Sequence, residues 1–571
     1  MQISVDQYLT HHYPILNQLP KMIKSSMVSL AKRFFHEDEV NDFIQNAHHK
    51  DRFSFIESIL DYFDINIELT KNQLDNIPSY GKVVIIANHP LGALDAMALI
   101  HLLKDVRKDI KIVANSFLSN IEHLSPLLIP VDNIQGKMDK EALKGIYDAL
   151  KNEEAVIIFP SGEVSRARPT GIKDTPWKSG FLKIASKLRA PILPIFIDAK
   201  NSSSFYFVSM LNRNLATATL PHEMFKSKGK NIKFTIGKSI PFESYGLSNI
   251  PKKEQIKLFR KHFYRVAKGR RELFKTQNEI SMPESRSEIK SLLKEGELLG
   301  ETFDGKKIIL YQNEVEDAVL KEIGRLREIS FRFVGEGSGK KRDIDEYDFY
   351  YNHLVIWDDE ALQIAGAYRV GFCNDIYEDF GLEGLYTSNL FEFKEEFERY
   401  MPNSIELGRS FVQPKYWNTR ALDYLWQGIG ALVAKRQDIR YLFGAVSMSD
   451  HFSNEAKGAL VYFYSHYFSP KEQIIKHKYP FEMPSELKKR FEQIFSGDNY
   501  KEDFRRLKDE LGFMGFAIPT LYKQYSDICE EGGVKFFDFG YDSQFNNCVD
   551  GFILTDLTML KESKRKRYMG E

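Results

Sequence analysis

The sequence is poor in cysteine. Its three, Cys373, Cys529 and Cys548, show no C-x-x-C spacing, which excludes a zinc cluster and a disulfide framework. That usage suits a reducing cytoplasm. Long apolar runs are also missing, and none reaches the ~18–20 residues that span a bilayer. The N-terminal MQISVDQYLTHH lacks an apolar h-region, so no secretory leader is expected. Net charge is absent too, with 79 Lys and Arg against 79 Asp and Glu. That balance holds between the halves rather than within them. Residues 1–275 carry 40 basic against 28 acidic side chains, and residues 276–571 carry 39 against 51. At 571 residues the chain exceeds one core, and the charge split implies two folding units with different partners. Aromatic residues are the one abundant class: 43 Phe and 28 Tyr suit burial or lipid contact.

The stretch Lys82 to Leu103 organises the first half. Val83 to Ala87 is a short, mostly β-branched run and reads as a buried strand. Asn88, His89 and Pro90 break it, and Leu91 to Leu103 reads as an apolar helix beginning near Pro90. His89 then sits on a turn at the C-terminal end of a strand, free to fold back on Asp95. A carboxylate that fixes an imidazole makes a base, and a bound hydroxyl can be its substrate. A second block, Phe159-Pro-Ser-Gly-Glu-Val-Ser-Arg166, follows another apolar strand.

This pair of blocks resembles the glycerolipid acyltransferase family, with its NH-x4-D base block and FPEG-T-R-S acceptor block. Five residues separate His89 from Asp95 here, not four, and Ser161 and Val164 stand where the family has Glu and Arg. Asn133 takes the place of another family Arg. Pro191 to Ile197 resembles the family's buried fourth block, and Trp177-Lys178-Ser179-Gly180 its K-x-G segment. The resemblance implies catalytic roles for His89 and Asp95, with Ser161, Gly162, Glu163, Arg166 and Lys178 at the acceptor. Without the Arg at 164, a phosphate acceptor is disfavoured; Glu163 is expected to meet a cationic group, and Arg166 and Arg168 a carboxylate.

Around these blocks, strands at 83–87, 111–115, 155–159, 192–197 and 232–236 alternate with helices, so residues 76–275 form an α/β sheet domain. Residues 1–75 read as its helical N-terminal region, where Met22, Met27, Leu30 and Phe34 lie beside Lys21, Lys24, Lys32 and Arg33. That pattern suits either docking on its own domain or anionic lipid. Residues 251–275 are basic with an Ile256, Phe259, Phe263, Val266 stripe, and residues 276–290 read as the linker.

In the second half, Gly335 to Lys340 lacks the glycine and hydroxyl positions of a phosphate loop and reads as flexible. Strands follow at 351–357, 363–370, 404–412 and 440–446, with a helix at 420–437. LREISFR (326–332), DIDEYD (343–348), HLVIW (353–357), GAYRV (366–370) and IELGRSFV (405–412) resemble the amino-acid N-acyltransferases that make lyso-ornithine lipid. The implied fold of 291–571 is a GNAT-like mixed sheet. The implied site comprises Arg327, Asp345, Asp348, Arg369 and Arg409, with Glu406 accepting the amine proton and a bulge near Gly408 holding the thioester oxygen.

The segment QPKYWNTRAL (413–422) has no glycine for a pyrophosphate loop, which favours an acyl carrier protein over CoA as donor. Together the halves resemble the bifunctional ornithine lipid synthases. The implied enzyme is an acyltransferase with no bound cofactor, no metal and no nucleic acid. Its partners would be acyl carrier protein, an amino acid (ornithine or glycine), the lyso-aminolipid and the inner face of the cytoplasmic membrane. The alternatives are a glycine (or other amino acid) lipid synthase, which differs only in its acceptor pocket, a phosphatidic-acid-forming enzyme with an inert tail, and a membrane-surface scaffold with inactive acyltransferase folds.

Overall fold

A computed structural model describes residues 4–6, 10, 20–69, 73–131, 140–168, 171–246, 250–313, 315–543, 545 and 547–569; Asn133 lies outside them. The chain divides after Glu279 into two compact units.

The first unit opens with α1 (Lys21–Phe34), α2 (Glu37–Asn46) and α3 (Arg52–Tyr62), followed by a strand, β1 (Asn66–Leu69), in a stretch whose sequence reads as helical. Then come β2 (Val83–Ala87), α4 (Ala93–Lys104), β3 (Ile110–Asn115), β4 (Leu128–Val131), α5 (Lys140–Lys151) and β5 (Ala155–Ile158). The hairpin β6 (Arg166–Arg168) and β7 (Gly171–Lys173) precedes α6 (Gly180–Leu188) and β8 (Ile192–Asp198). The unit ends with α7 (Ser203–Leu211), α8 (Arg213–Ala218), α9 (Leu220–Phe225), β9 (Asn231–Ile236) and α10 (Lys252–Val266).

Seven strands form one sheet in the order β1-β9-β8-β2-β5-β3-β4, parallel except for β8 against β9. All five residues of β2 are fully enclosed, as a central parallel strand covered on both faces must be. The loops after β2, β5 and β8 therefore meet at one edge, where ligands of open α/β sheets bind. Asn88 ties two of them: its side chain accepts from Ile197 N at 2.7 Å and donates to Ile197 O at 2.8 Å.

The stripe of α10 is inward, with Phe259 and Phe263 fully buried against the sheet. In α1 the reverse holds. Met22 is 86% and Leu30 74% exposed, and only Val28 of the helix is buried.

The second unit starts with α11 (Arg286–Leu293), capped by Ser285, so the helix takes in the last residues of the stretch expected to be linker. Next are β10 (Glu297–Glu301), β11 (Lys307–Gln312), α12 (Ala318–Phe333), β12 (Asn352–Asp358), β13 (Gln363–Phe372), α13 (Cys373–Phe380), β14 (Phe391–Phe393) and β15 (Ser404–Val412). They are followed by α14 (Ala421–Lys435), β16 (Tyr441–Met448), α15 (Asn454–Phe468), β17 (Ile475–His477), α16 (Ser485–Ile494), α17 (Tyr500–Phe513), α18 (Thr520–Ser526), β18 (Val534–Asp542), β19 (Cys548–Asp556) and α19 (Glu562–Met569).

Eight strands form a mixed sheet, β10-β11-β12-β13-β15-β16-β19-β18, in which only β15 and β16 are parallel neighbours. Those two pair only over residues 404–406 and 441–443. Beyond Glu406 and Phe443 they run on without pairing, which opens the middle of the sheet. The segment 335–340 is tethered rather than loose: Glu328 accepts Ser338 N at 3.1 Å, Ser338 Oγ at 2.7 Å and Gly339 N at 2.8 Å. Among the described residues, no helix of the chain is long and apolar enough to cross a membrane.

Candidate active sites

The first site is built by the loop after β2. The helix expected from Leu91 begins at Ala93, because Gly92 takes φ +91° and caps α4 in a conformation that suits glycine. Asp95, in the first turn of α4, accepts Leu91 N at 2.8 Å and Gly92 N at 3.0 Å through Oδ2. This turn absorbs the extra residue between His89 and Asp95. His89 Nδ1 lies 3.1 Å from the same Oδ2, in ion-pair contact but off the axis of an aligned hydrogen bond. Asp95 is fully buried, and burial pushes its carboxyl above the usual range, opposed by His89 and the two backbone donors.

The imidazole stacks on Phe159, the first residue after β5, with ring centroids 4.1 Å apart. A residue missed in the sequence completes the frame. Asp174, fully buried, accepts Ser165 Oγ at 2.6 Å, Trp177 Nε1 at 3.1 Å and, at 3.4 Å, the backbone N–H of His89. Nothing in its spacing marked it. We expect Gly92→Ala to cost ~1–3 kcal/mol of stability through backbone strain and to lower turnover at this site by displacing His89 from Asp95. Denaturant titration and product formation check both.

The acceptor block is brought to the same edge. Ser161 is buried and donates to Glu163 O at 2.8 Å. Gly162 turns at φ +68° under the Lys178 ammonium, which would lie 3.0 Å from a Cβ at that position. Arg166 is buried and donates to Ser209 Oγ at 3.0 Å and Thr217 Oγ1 at 2.9 Å, with its Nε left unpartnered. Glu163 differs from expectation. Its carboxylate is met by Arg213 at 2.6 Å and Arg166 at 3.5 Å, so the protein itself supplies the cation reserved for the acceptor. Val164 is packed with Phe205, Tyr206 and Ala216, which explains why no charge stands there.

The second site forms where β13, β15 and the turn 343–348 converge. Asp345 and Asp348 cap that turn reciprocally and also hold the arginines. Asp348 bridges Arg327 at 2.7 Å and Arg369 at 3.3 Å, and Asp345 bridges Arg369 at 2.5 Å and Arg409 at 3.2 Å. Burial alone would raise the Asp348 carboxyl, but Arg327 and Arg369 hold it well below the usual range. His353, 3.3 Å from Arg327, is pushed down to about 3 by burial and that guanidinium, so it is neutral near pH 7.

Arg369 lies over the rings of Tyr347, Tyr351 and Tyr386, and its Nη2 has no hydrogen-bond partner. A buried, unsatisfied guanidinium donor is a place for a carboxylate.

Glu406 and Arg409 do not pair. Arg409 turns to Asp343, Asp345 and Tyr386, because a bulge in β15 puts Arg409 at φ +50° opposite the Ala367–Arg369 step. Glu406 is buried and accepts Tyr386 N at 3.0 Å, Thr387 N at 2.8 Å and the Tyr351 hydroxyl. Any proton it takes must come by way of Tyr351 or after one of these bonds opens.

Sequence reasoning also missed Asp343, His353, Tyr351 and Tyr386. The triple Asp343, Asp345, Asp348 was a usable signal; the aromatic residues gave none.

Farther along the opened strands, Glu336 accepts Ser447 Oγ at 3.1 Å, and burial pushes its carboxyl up to about 7. Nearby, Asp542, Cys548 and Asp550 bring three ligand atoms within 4.8 Å of one another, although burial pushes the Cys548 thiol and the Asp550 carboxyl well up.

A folded-state pKa near 7 for Glu336, against an ordinary 4.5, has a defined sign. Its contribution is fully present below pH 4.5 and is lost as pH rises through 7. We expect Glu336→Gln to flatten the fall in stability between pH 5 and 8 by on the order of 2 kcal/mol, measured by denaturation of both proteins at each pH.

Two sites of this kind, one holding an imidazole base and one a guanidinium–carboxylate cluster beside an opened sheet, define a two-domain acyltransferase. Comparison with known proteins agrees. Residues 15–270 match the Acyltransferase family and residues 326–427 the Acetyltransferase (GNAT) domain. A glycine N(alpha)-acyltransferase of Phocaeicola vulgatus is 35% identical over 306 residues, 51% of this chain and 92% of that protein. A lyso-glycine lipid O-acyltransferase of the same organism is 30% identical over 238 residues, 40% of this chain and 84% of that protein. An L-ornithine N(alpha)-acyltransferase of Rhizobium meliloti is 34% identical over 128 residues, 21% of this chain and 42% of that protein. The chain belongs to the aminolipid acyltransferases, and it carries both an N-acyltransferase and an O-acyltransferase domain.

Proposed function

We propose that this chain makes a diacylated amino-acid lipid in two steps, with glycine as the amino acid. In the second unit the acceptor's carboxylate meets Arg369 and Arg409. Its amine attacks the carbonyl of a 3-hydroxyacyl thioester held between β15 and β16. The amide forms, the C–S bond breaks, and the amine proton leaves by way of Glu406 and Tyr351 as the thiol departs.

In the first unit His89 takes the proton of the lipid's 3-hydroxyl while Asp95 orients the ring and stabilises the imidazolium. The alkoxide oxygen attacks a second thioester, and the imidazolium returns the proton to the leaving thiolate. Lipid reaches the domain through the exposed apolar residues of α1 and of α7, where Phe207, Met210 and Leu211 face solvent.

The observation that carries glycine over ornithine is Glu163. Its charge is already met by Arg213, so the acceptor block keeps no free carboxylate for a cationic side chain. The 92% coverage of a glycine-acylating relative, against 42% of an ornithine-acylating one, supports the same choice.

The test supplies purified full-length protein with glycine or ornithine and either acyl-carrier-protein or acyl-CoA thioesters, and reads products by mass spectrometry. We expect glycine products, and at least tenfold higher kcat/KM with the carrier-protein donor. The helix N-terminus that follows residues 413–420 offers no glycine loop for a pyrophosphate. Ornithine products of equal yield would remove the glycine assignment, and equal rates with acyl-CoA the donor assignment.

A further inference from the structure

The hairpin β6–β7 and helix α10 enclose a groove of about 490 Å³ whose nine lining residues are eight Lys or Arg and Tyr264. No carboxylate lines it. Among the described residues Lys257 is paired with Glu254, but Arg168, Lys261, Lys268 and Arg270 have no acidic partner. Confining so many like charges in a concavity raises the local potential and costs self-repulsion, which a bound anion relieves.

The groove is also close to the chemistry. Arg260 in its wall donates to Asp174 O at 2.7 Å, and Tyr264 accepts the Asp174 backbone N–H at 3.0 Å. Asp174 in turn accepts the backbone N–H of His89, so one residue separates the groove from the base. From Arg260 the lining extends to Lys268 and Arg270. On α10 itself the lining runs from Lys257 to Arg265, eight residue steps at 1.5 Å each, or roughly 12 Å.

The lining residues carry no exposed aliphatic side chain, whereas a surface that enters lipid needs one. The most exposed apolar residues of this unit lie instead on α1 and α7, and Ile250 and Leu273, which flank α10 and are 44% and 40% exposed, do not line the groove. A long, basic, non-greasy concavity fits the acidic face of a folded protein.

We propose that this groove docks an acidic acyl carrier protein and so delivers the thioester to the O-acyltransferase site. The proposal rests on the thioester-dependent O-acylation argued above. It assigns the donor of that step to its own docking surface, separate from the one serving N-acylation.

The experiment uses the full chain and its Lys261→Glu/Lys268→Glu/Arg270→Glu variant, whose three positions are exposed. Carrier protein bearing a photoreactive group is crosslinked to each, and the crosslinks are mapped by mass spectrometry. We expect crosslinks on residues 252–270 in the wild type, and at least tenfold fewer in the variant. In turnover, the variant's KM for acyl carrier protein in O-acylation should rise at least tenfold. Its KM for acyl-pantetheine, and for acyl carrier protein in N-acylation, should stay within twofold.

Crosslinks confined to residues 280–571, or an unchanged KM, would overturn the proposal. So would a loss of binding to anionic vesicles with that KM unchanged, which would make the groove a membrane contact. The crosslinking arm needs no turnover, so failure of the aminolipid reading and failure of this docking site are told apart.

Discussion

Replacing His89 by Ala should abolish ester formation while leaving amide formation intact, so that the mono-acylated lyso-lipid accumulates. Loss of a general base costs typically 10²–10⁴-fold. We expect the O-acylation rate to fall at least 10³-fold, because no other imidazole contacts Asp95 Oδ2 among the described residues. His89 is partly exposed, and its ring is held by Asp95 and by the face of Phe159, so its removal leaves the buried frame of β2 and α4 standing. Thermal unfolding of the variant within a few degrees of wild type, with O-acylation lost, supports a chemical role. Retention of more than a tenth of the O-acylation rate would remove His89 from the mechanism.

The second large effect is on stability. Asp348, Arg327 and Arg369 have at most 1% of their side chains exposed, so they have exchanged water for one another. Removing the shared anion leaves the buried Arg327 guanidinium without a carboxylate and Arg369 with Asp345 alone, and breaking such a buried pair costs roughly 3–5 kcal/mol. We therefore expect Asp348→Asn to destabilise the second unit by that amount. An isosteric amide cannot neutralise the cations, and it also disturbs the cap on Asp345 N.

The sign with pH follows from the direction of the shift. Arg327 and Arg369 hold Asp348 below the ordinary carboxylate range, so its contribution is present above about pH 4 and is lost only in stronger acid. Guanidinium denaturation of wild type and variant at pH 7 reads the difference. A change under 1 kcal/mol would show that the cluster does not hold the site together.

How much of this was legible in the chain depended on sequence distance. His89 and Asp95 are six residues apart, and the strand-break that separates them is written in Asn88 and Pro90. The turn at Gly92 was not, because a helix-compatible apolar pattern runs through Leu91 and Gly92 while Asp95 pulls their backbone N–H groups out of the helix.

Strands with unbroken apolar runs, such as β2 and β5, were readable; β1 and β4 were not. β1 is four residues at the sheet edge with alternating partial exposure, and β4 contains a proline. In the second site the arginines and Asp345 and Asp348 were readable as motifs, but their pairing was not. Glu406 and Arg409 are three apart on one strand, and only the bulge at Arg409 decides that they face different partners. The last two strands, which bring Asp542 and Asp550 beside the site, lie more than 100 residues from any of the motifs, and no local pattern announces that return.

The most direct test of the central claim, that one chain performs both acylations, is lipid mass spectrometry of a bacterial host that makes no aminolipids, expressing the full chain. The expected result is a diacylated amino-acid lipid with one amide and one ester. In the His89→Ala variant the mono-acylated species should take its place. A wild-type strain that accumulates only the mono-acylated lipid, or only additional phosphatidic acid, would contradict it.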